Sequence, residues 1–511
     1  MRFTKLRWLA AISAAIVALI CFDALAATPR YGGTLHVKLR ASSASLDPRE
    51  WTPGSLSSGA SEKLASLVYD RLVTLDNYAK FQPALATEWS HDATSRIWQF
   101  KLRSGVRFSD GSLLTPTDAV ASLEATLGKG FEVTVTEIGL AIRAAHPAPD
   151  MLEQLASGRN FVFRRRSDGT LLGTGPFYLA ESVAAAPSEA NPTAIKPAKL
   201  KFQANEGTWS GRPFVDSVEV ILGEPPLRQL LDLQVGKAEI AEIAPDLVRK
   251  GRQEGLRIWS SAPRTLVGLR FDDAFAAPAS DQLREALWLA LDRETMANVL
   301  LQREAQPADS LLPQWLSGYA FLFESPMNLQ RARELRAGFP AGGPGATQPL
   351  RLRVDAPGDL FKLMGERVAV NARQANLLVQ AALPVSGSNS PAPAVGLHLF
   401  AWHYDSLSPH AELGAFVKQL LDAGDLPANT TDPDQLFGQE RRLLEERRIL
   451  PLVLLPEYAG VRTNVHNWNA SPWGDWRLAD VWLDSEDAMP PKAPAGPQKN
   501  GSAAPNPGAR P

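Results

Sequence analysis

Hydrophobic and polar positions follow two periods along this chain. Segments with strand-like alternation or short apolar runs are residues 32–39, 100–103, 214–222, 350–354, 395–402 and 449–455. Segments with apolar residues at every third or fourth position, typical of amphipathic helices, are residues 61–72, 226–233, 280–293, 361–378 and 439–448. The two kinds of segment are mixed without a fixed repeat. This pattern predicts an α/β or α+β architecture with several lobes.

Two helix starts are marked by their capping residues. Thr115 is predicted to be an N-cap, with Pro116 as the first helical residue and Asp118 near the positive end of the helix dipole. A second N-cap at Asp292 predicts a short helix through residues 296–300. The capping residues therefore predict the first residues of these two helices.

Two segments have compositions that argue against packed elements. Residues 180–197 are rich in Ala and Pro and predict a surface insertion or linker. Residues 489–511 are Pro, Ala, Gly, Asn and Lys without apolar periodicity, which predicts a disordered tail.

The N-terminus has the pattern of an export signal. Basic residues precede an apolar run over residues 8–22, and residues 24–26 (ALA) offer the small side chains of a cleavage site. The run is shorter than the ~20 apolar residues that span a bilayer, so we expect residues 1–26 to be removed. Cys21 would leave with them, and Ile20 before it disfavours the alternative of a lipid anchor. The mature chain would then have no cysteine and no disulfide.

Composition excludes several functions. Lys and Arg together number 53 and Asp and Glu 55, giving a formal net charge of −2, which disfavours nucleic acid as a partner. Of the 511 residues, those between the signal segment and the tail suffice for roughly three units of ~150 residues. No His-Glu-x-x-His, Gly-x-Ser-x-Gly or Ser-x-x-Lys motif stands in a plausible context. We therefore expect no enzyme and no cofactor.

A series of short motifs runs along most of the chain. In order they are residues 32–35 (GGTL), 46–48 (LDP), 69–76 (YDRLVTLD), 83–89 (PALATEW), 98–103 (WQFKLR), 105–111 (GVRFSDG), 115–118 (TPTD), 173–177 (GTGPF), 209–213 (WSGRP), 283–293 (LREALWLALDR) and 449–452 (ILPL). Together they resemble the family 5 extracellular solute-binding proteins. Members of this family are receptors for oligopeptides, dipeptides and nickel complexes that feed ABC importers.

The resemblance implies a fold and its parts. It implies an α/β, type II periplasmic-binding-protein fold with two lobes, an additional domain and a ligand cleft between the lobes. The implied parts are residues 28–58, 175–262 and 465–488 for lobe I, 59–174 for the additional domain, and 263–464 for lobe II.

The resemblance also implies where ligand binds. In peptide receptors of the family, an aspartate after a Gly-Trp-x-x-Asp strand end pairs with the ligand ammonium, and residues 401–405 (AWHYD) place Asp405 at the matching position. The alternative is that Asp405 caps the turn that follows. The backbone around Trp402, His403 and Tyr404 would pair with an extended ligand, with Trp402 as a pocket wall or as core.

The opposite lobe and the histidines complete the expected site. Ser42 and Ser43, in the loop 41–45, are predicted to clamp the ligand backbone from lobe I. Three histidines invite a metal site, but their spacings fit no known chelate and favour solvated side chains; they are His398, His403 and His410.

These observations predict the substrate-binding subunit of an ABC importer. It would be a periplasmic monomer that captures small peptides and delivers them to permease and ATPase subunits. The alternatives are a receptor for a metal chelate, an opine or a sugar, and a degenerate sensor or scaffold of the same fold. The chain is shorter than family receptors before Gly173 and after Tyr404, so the resemblance supports the architecture more strongly than the substrate.

Overall fold

The structure is a computed structural model that describes residues 29–187, 195–275, 280–324, 326–339, 344–381, 396–422 and 432–484. The predicted signal segment, residues 1–26, and the predicted tail, residues 489–511, lie outside these ranges. Within them, no helix has both the length and the apolar character needed to cross a membrane.

The strands of the described ranges are numbered in chain order. They are β1 Thr34–Leu39, β2 Val73–Leu75, β3 Phe81–Pro83, β4 Ala86–His91, β5 Ile97–Leu102, β6 Phe131–Thr136, β7 Gly139–Ala144, β8 Arg164–Arg165, β9 Leu171–Leu172, β10 Phe177–Val183, β11 Ala186–Pro187, β12 Ile195–Lys196, β13 Ala198–Ala204, β14 Ser217–Leu222, β15 Ile240–Ile243, β16 Arg257–Phe271, β17 Gln306–Pro307, β18 Leu350–Val354, β19 Val379–Ala381, β20 Leu397–His403, β21 Ile449–Val461, β22 Val465–His466 and β23 Trp482–Leu483.

The helices are numbered in the same way. They are α1 Leu56–Val68, α2 Pro116–Leu127, α3 Met151–Leu155, α4 Pro226–Gln234, α5 Val248–Gln253, α6 Asp281–Ala290, α7 Arg293–Thr295, α8 Gln314–Ser317, α9 Leu329–Ala337, α10 Asp359–Gln374, α11 Pro409–Leu421 and α12 Pro433–Glu445. Short 3₁₀ segments are Pro48–Glu50, Pro245–Leu247, Asp273–Phe275, Ala320–Leu322 and Leu478–Asp480, and a π-helical turn covers Met296–Leu300.

An 11-stranded sheet runs through the molecule in the order β10-β13-β14-β1-β15-β21-β16-β20-β18-β19, with β17 added to β21. β16 and β21 are the long strands at its centre, with 15 and 13 residues. Pro263 of β16 lies opposite Pro456 of β21, and the register shifts on both sides of Pro263. Because proline has no N–H to donate, the ladder is interrupted there. This interruption divides the sheet into two halves joined by β16 and β21.

Each half of the sheet has its own hydrophobic core. One core is formed around β1, β14 and α1, and the other around β16, β20, α6 and α10. The predicted helix over residues 280–293 is confirmed as α6, whose Leu283, Ala286, Leu287 and Ala290 are buried at helical spacing. Asp292 caps the short α7 as predicted, because its side chain accepts the Thr295 N–H.

A separate four-stranded antiparallel sheet, in the order β4-β5-β7-β6, packs with α2 around a third core. On β5 the alternation predicted over residues 100–103 is confirmed in part, since Phe100 is buried and Lys101 exposed, whereas Leu102 is only half-buried. The predicted start of α2 is also confirmed, with Asp118 accepting the Thr115 N–H at 2.9 Å. The residue boundaries of the predicted lobes and additional domain stay a prediction.

Two local predictions differ from the structure. The helix predicted over residues 61–72 spans Leu56–Val68 instead. It starts earlier because Ser55 caps it by accepting the Ser57 N–H. The predicted linker over residues 180–197 is wrong in part, since β10 continues to Val183 and pairs antiparallel with β13. Backbone pairing with a neighbouring strand outweighs the composition of this exposed segment. Residues 188–194 of this prediction lie outside the described ranges.

Candidate ligand-binding site

A cavity of about 650 Å³ lies where the two halves of the central sheet meet. On one side it is bounded by the segments that follow β1, β14 and β15. On the other it is bounded by the segment that follows β18 and by His403 at the end of β20, with β16, β21 and the start of α1 between the two sides. Open α/β sheets bind ligands outside the carboxyl ends of their strands. The volume is also within the range of small-molecule sites.

The walls of the cavity are mostly apolar. Its non-polar lining consists of Ala41, Leu56, Ala60, Pro225, Pro226, Leu227, Ala244, Pro245, Leu247, Pro357, Leu360, Phe361, Leu455 and Pro456. Five of these residues are prolines, whose fixed backbone keeps the walls rigid. The charged residues Arg40, Asp246 and Asp359 also line the cavity and are exposed to solvent. The cavity therefore combines mostly apolar walls with several exposed charges.

Two carboxylates that line the cavity, those of Glu242 and Glu457, are bridged by Lys63, a buried residue of α1. Its Nζ lies 2.9 Å from Glu242 Oε1 on β15 and 2.9 Å from Glu457 Oε2 on β21. Burial alone would lower the pKa of Lys63, but attraction to the two carboxylates outweighs it and raises the pKa. Burial would likewise raise the pKa of Glu457, whereas Lys63 and His403 hold it well below its usual range. Lys63 and Glu457 are therefore both ionised at neutral pH.

His403 extends this network at the end of β20. The residue is only 3% exposed and His398 only 4%, so the prediction of solvated side chains is wrong for these two histidines. In His403, Nδ1 lies 2.9 Å from Asp405 Oδ1 and Nε2 lies 3.2 Å from Glu457 Oε1. Burial would lower its pKa, but the two carboxylate hydrogen bonds outweigh burial and raise the pKa to about 9. The ring is thus an imidazolium at neutral pH, and both of its N–H groups donate.

Asp405 is held by α1 and by the segment before it. Its Oδ2 accepts the Gly54 N–H at 2.8 Å, and its Oδ1 accepts the Ser58 hydroxyl at 2.5 Å. The turn after Asp405 is closed by other groups, because Glu412 accepts the Asp405 and Ser406 N–H groups. Asp405 does not line the cavity. It anchors the start of α1 to the end of β20, which neither sequence-based alternative anticipated.

The side chains of Trp402 and Tyr404 belong to the hydrophobic core rather than to the cavity. Trp402 is 2% exposed and Tyr404 fully buried; the Trp402 indole donates to Glu412 at 2.6 Å and the Tyr404 hydroxyl to the Leu311 carbonyl at 2.5 Å. Of the two alternatives predicted for Trp402, the structure therefore supports core and not a pocket wall.

The backbone predicted to pair with ligand is already paired within the protein. The His403 N–H donates to the Gly54 carbonyl and the Tyr404 N–H to the Arg264 carbonyl, both at 2.9 Å. These N–H groups are therefore not free for a β-type ligand contact. Of the predicted site residues, His403 and Ser42 line the cavity, whereas Ser43 is exposed outside it.

Sequence reasoning missed Lys63, Glu242 and Glu457. One signal was present: Glu242 and Glu457 interrupt apolar strand segments, and charged residues in such positions are rarely buried unless they are paired. That both carboxylates pair with Lys63 follows only from the tertiary structure. Among the described residues, no three His, Cys, Asp or Glu side chains are grouped to hold a metal ion.

Stability is expected to fall with rising pH because of His403. Its pKa is about 9 in the folded protein against a reference of 6.5, so its contribution is complete below pH ~6.5, declines as pH rises and is lost above pH ~9. The difference in unfolding free energy between wild type and His403→Gln should shrink by about 3 kcal/mol over that range. Urea unfolding at half-unit pH steps measures it, with the exposed His146→Gln as control. Parallel wild-type and His403→Gln profiles would contradict the ionised imidazolium.

Comparison with known proteins gives a consistent picture. The family model "Bacterial extracellular solute-binding proteins, family 5 Middle" matches residues 80–419. The Nickel-binding periplasmic protein of Escherichia coli (strain K12) is 25% identical over 372 residues, covering 64% of this chain and 67% of that protein. The Di/tripeptide-binding protein 2 of Pseudomonas aeruginosa (strain UCBPP-PA14) is 22% identical over 438 residues, covering 75% of each.

Solved structures agree on the fold. The dipeptide binding protein from Pseudoalteromonas sp. SM9913, in complex with Met-Leu, has a TM-score of 0.71 and 14% identity, covering 88% of this chain and 100% of that one. At this identity the likeness concerns the fold alone. It confirms the predicted periplasmic-binding-protein-like α/β architecture.

Proposed function

Because this chain belongs to the family 5 bacterial extracellular solute-binding proteins, we propose that it is the substrate-binding subunit of an ABC importer and captures di- or oligopeptides. The observation that carries this proposal is the cavity of about 650 Å³ at the carboxyl ends of strands from both sheet halves. A ligand held there contacts both halves. It would therefore favour the arrangement in which the halves close on it.

The lining of the cavity supports a peptide in particular. Its apolar and proline-rich walls suit side chains of varied shape, because apolar contacts have little directional demand. Arg40 and the acids Asp246 and Asp359 at the rim offer charges of both signs, as a zwitterion requires. One relative is named for di- and tripeptides and another for nickel. A metal chelate, an opine or a sugar is the alternative cargo.

The proposal includes location, partners and domain division. Residues 1–26 would direct export to the periplasm, where the mature monomer would deliver its ligand to permease and ATPase subunits. The degenerate sensor or scaffold is the alternative in which that delivery is lost. The proposed division is residues 28–58, 175–262 and 465–488 for lobe I, 59–174 for the additional domain, and 263–464 for lobe II.

Native mass spectrometry of the purified mature protein tests the cargo. We expect the protein to carry bound small molecules. After release with acid, their masses and fragments should be those of di- or oligopeptides. A retained metal chelate, opine or sugar would overturn the peptide assignment and leave the receptor assignment standing. A protein that retains nothing and binds none of a peptide library in titration calorimetry would instead support the degenerate alternative.

A further inference from the structure

The buried polar residues of the cavity lining lie side by side on the central strands. Thr265 of β16 is directly opposite His403 of β20 and Leu455 of β21 in the strand registers. Residues opposite each other present their side chains on the same face of a sheet, and all three line the cavity. His403 in turn contacts Glu457, 3.2 Å away. Thr265 therefore belongs to the part of the lining that holds the buried carboxylates.

The hydroxyl of Thr265 is buried without a partner. In the part of the chain that the structure describes it forms no hydrogen bond, although the residue is only 7% exposed. The next residue, Leu266, packs in a hydrophobic core, as expected for the opposite face of a strand. A buried hydroxyl normally has a partner, because losing water without gaining a hydrogen bond costs free energy. Since Thr265 lines the cavity, the missing partner points to a polar group of the ligand.

The neighbouring carboxylates can accept further hydrogen bonds. Glu242 accepts from Lys63 at 2.9 Å and from the Arg40 N–H at 2.8 Å. Glu457 accepts from Lys63 at 2.9 Å and from His403 at 3.2 Å. A carboxylate has about four lone-pair positions, so both retain acceptor capacity. Both N–H groups of His403 are already used, and Lys63 does not line the cavity. This part of the lining therefore suits a ligand group that donates.

Charge favours a cationic donor over a neutral one. A row of hydrogen-bonded groups contains more carboxylates than cations; its members are Glu242, Lys63, Glu457, His403 and Asp405. A ligand cation would bring the row to balance, whereas a ligand carboxylate would add another anion. Arg40, the other cation of the lining, is exposed to solvent, where water and salt screen its charge.

We propose that Thr265, Glu242 and Glu457 form a subsite for an ammonium group of the ligand, and that the Thr265 hydroxyl determines specificity for it. An ammonium carries N–H donors for the hydroxyl and for both carboxylates. It can belong to the amino end of a peptide or to a lysine side chain. This inference rests on the proposed peptide-binding function and makes that function more specific.

Titration calorimetry with three probes tests the subsite: Met-Leu, N-acetyl-Met-Leu and N-acetyl-Lys-Leu. An ammonium-bearing probe should bind wild-type protein about tenfold or more tightly than N-acetyl-Met-Leu does. A preference for Met-Leu assigns the subsite to the amino end, and a preference for N-acetyl-Lys-Leu assigns it to a side chain. Binding of all three probes within about threefold of one another would overturn the proposal.

Variants of Thr265 test the hydroxyl itself. Thr265→Val, which keeps the branched shape, should weaken binding of the preferred ammonium probe by about tenfold and of N-acetyl-Met-Leu by less than about threefold. Thr265→Ser, which keeps the hydroxyl, should bind every probe within about threefold of wild type. An equal loss for all probes in Thr265→Val would show a merely structural role and overturn the assignment.

Thermal melting of the ligand-free protein separates this inference from the proposed function. The melting temperature of Thr265→Val should equal or exceed that of wild type, because the hydroxyl that is lost has no partner within the protein. A clear decrease would show that the hydroxyl is bonded internally and would overturn the subsite. If the melting temperature is maintained but none of the three probes binds, the free hydroxyl stands and the peptide function is what fails.

Discussion

Lys63→Met is expected to lower the free energy of unfolding by about 3–5 kcal/mol. The substitution keeps the aliphatic stem but removes the ammonium that lies 2.9 Å from both Glu242 and Glu457. Two buried carboxylates then face each other without their shared cation. Urea unfolding at pH 7, followed by tryptophan fluorescence, measures the loss.

The matched control is Lys362→Met on α10. Lys362 also forms an ion pair, at 2.9 Å from Asp359, but both partners are well exposed, and such pairs contribute about 0–1 kcal/mol. Adding Glu242→Gln to Lys63→Met should recover part of the lost stability, since it removes one of the opposed charges. A Lys63→Met loss no larger than that of Lys362→Met would contradict a buried, ionised network.

Ala244→Trp is expected to weaken binding of the retained ligand by about 100-fold or more, which corresponds to about 2.7 kcal/mol. Ala244 lines the cavity between β15 and the 3₁₀ turn Pro245–Leu247. Its extended backbone, with φ −67° and ψ 142°, accepts any side chain. An indole there would occupy space that the ligand needs. Titration calorimetry gives the affinity.

The control for this substitution is Ala337→Trp, at the exposed end of α9 and outside the cavity lining. It should leave affinity unchanged. If Ala244→Trp is unstable by thermal melting, Leu360→Trp blocks the cavity from the opposite side. A folded Ala244→Trp protein that binds as tightly as wild type would place the ligand elsewhere.

Much of the fold could be predicted because the deciding interactions are local. The α2 start depends on Thr115 and Asp118, three residues apart, and the burial of α6 follows from its own apolar spacing. The helix at residues 56–68 begins earlier than its apolar spacing predicts, because its cap, Ser55, lies in a segment without apolar periodicity. Local interactions thus predict whether a segment is a helix or a strand more accurately than they predict its first and last residues.

The site could be predicted only in part because its contacts are distant in sequence. Resemblance to the family pointed to Asp405, yet its partners Gly54 and Ser58 are 351 and 347 residues away. Lys63 is separated from Glu457 by 394 residues. Nothing in the sequence around Asp405 indicates that an N–H and a hydroxyl from another part of the chain already fill its carboxylate.

A crystal structure of the protein with its retained ligand tests the central claim most directly. Peptide-shaped density should fill the cavity between Ser42, Ala244 and Phe361, with the His403–Asp405 pair intact beneath it. Ligand density at any other place, with only solvent in this cavity, would contradict the assignment of the site.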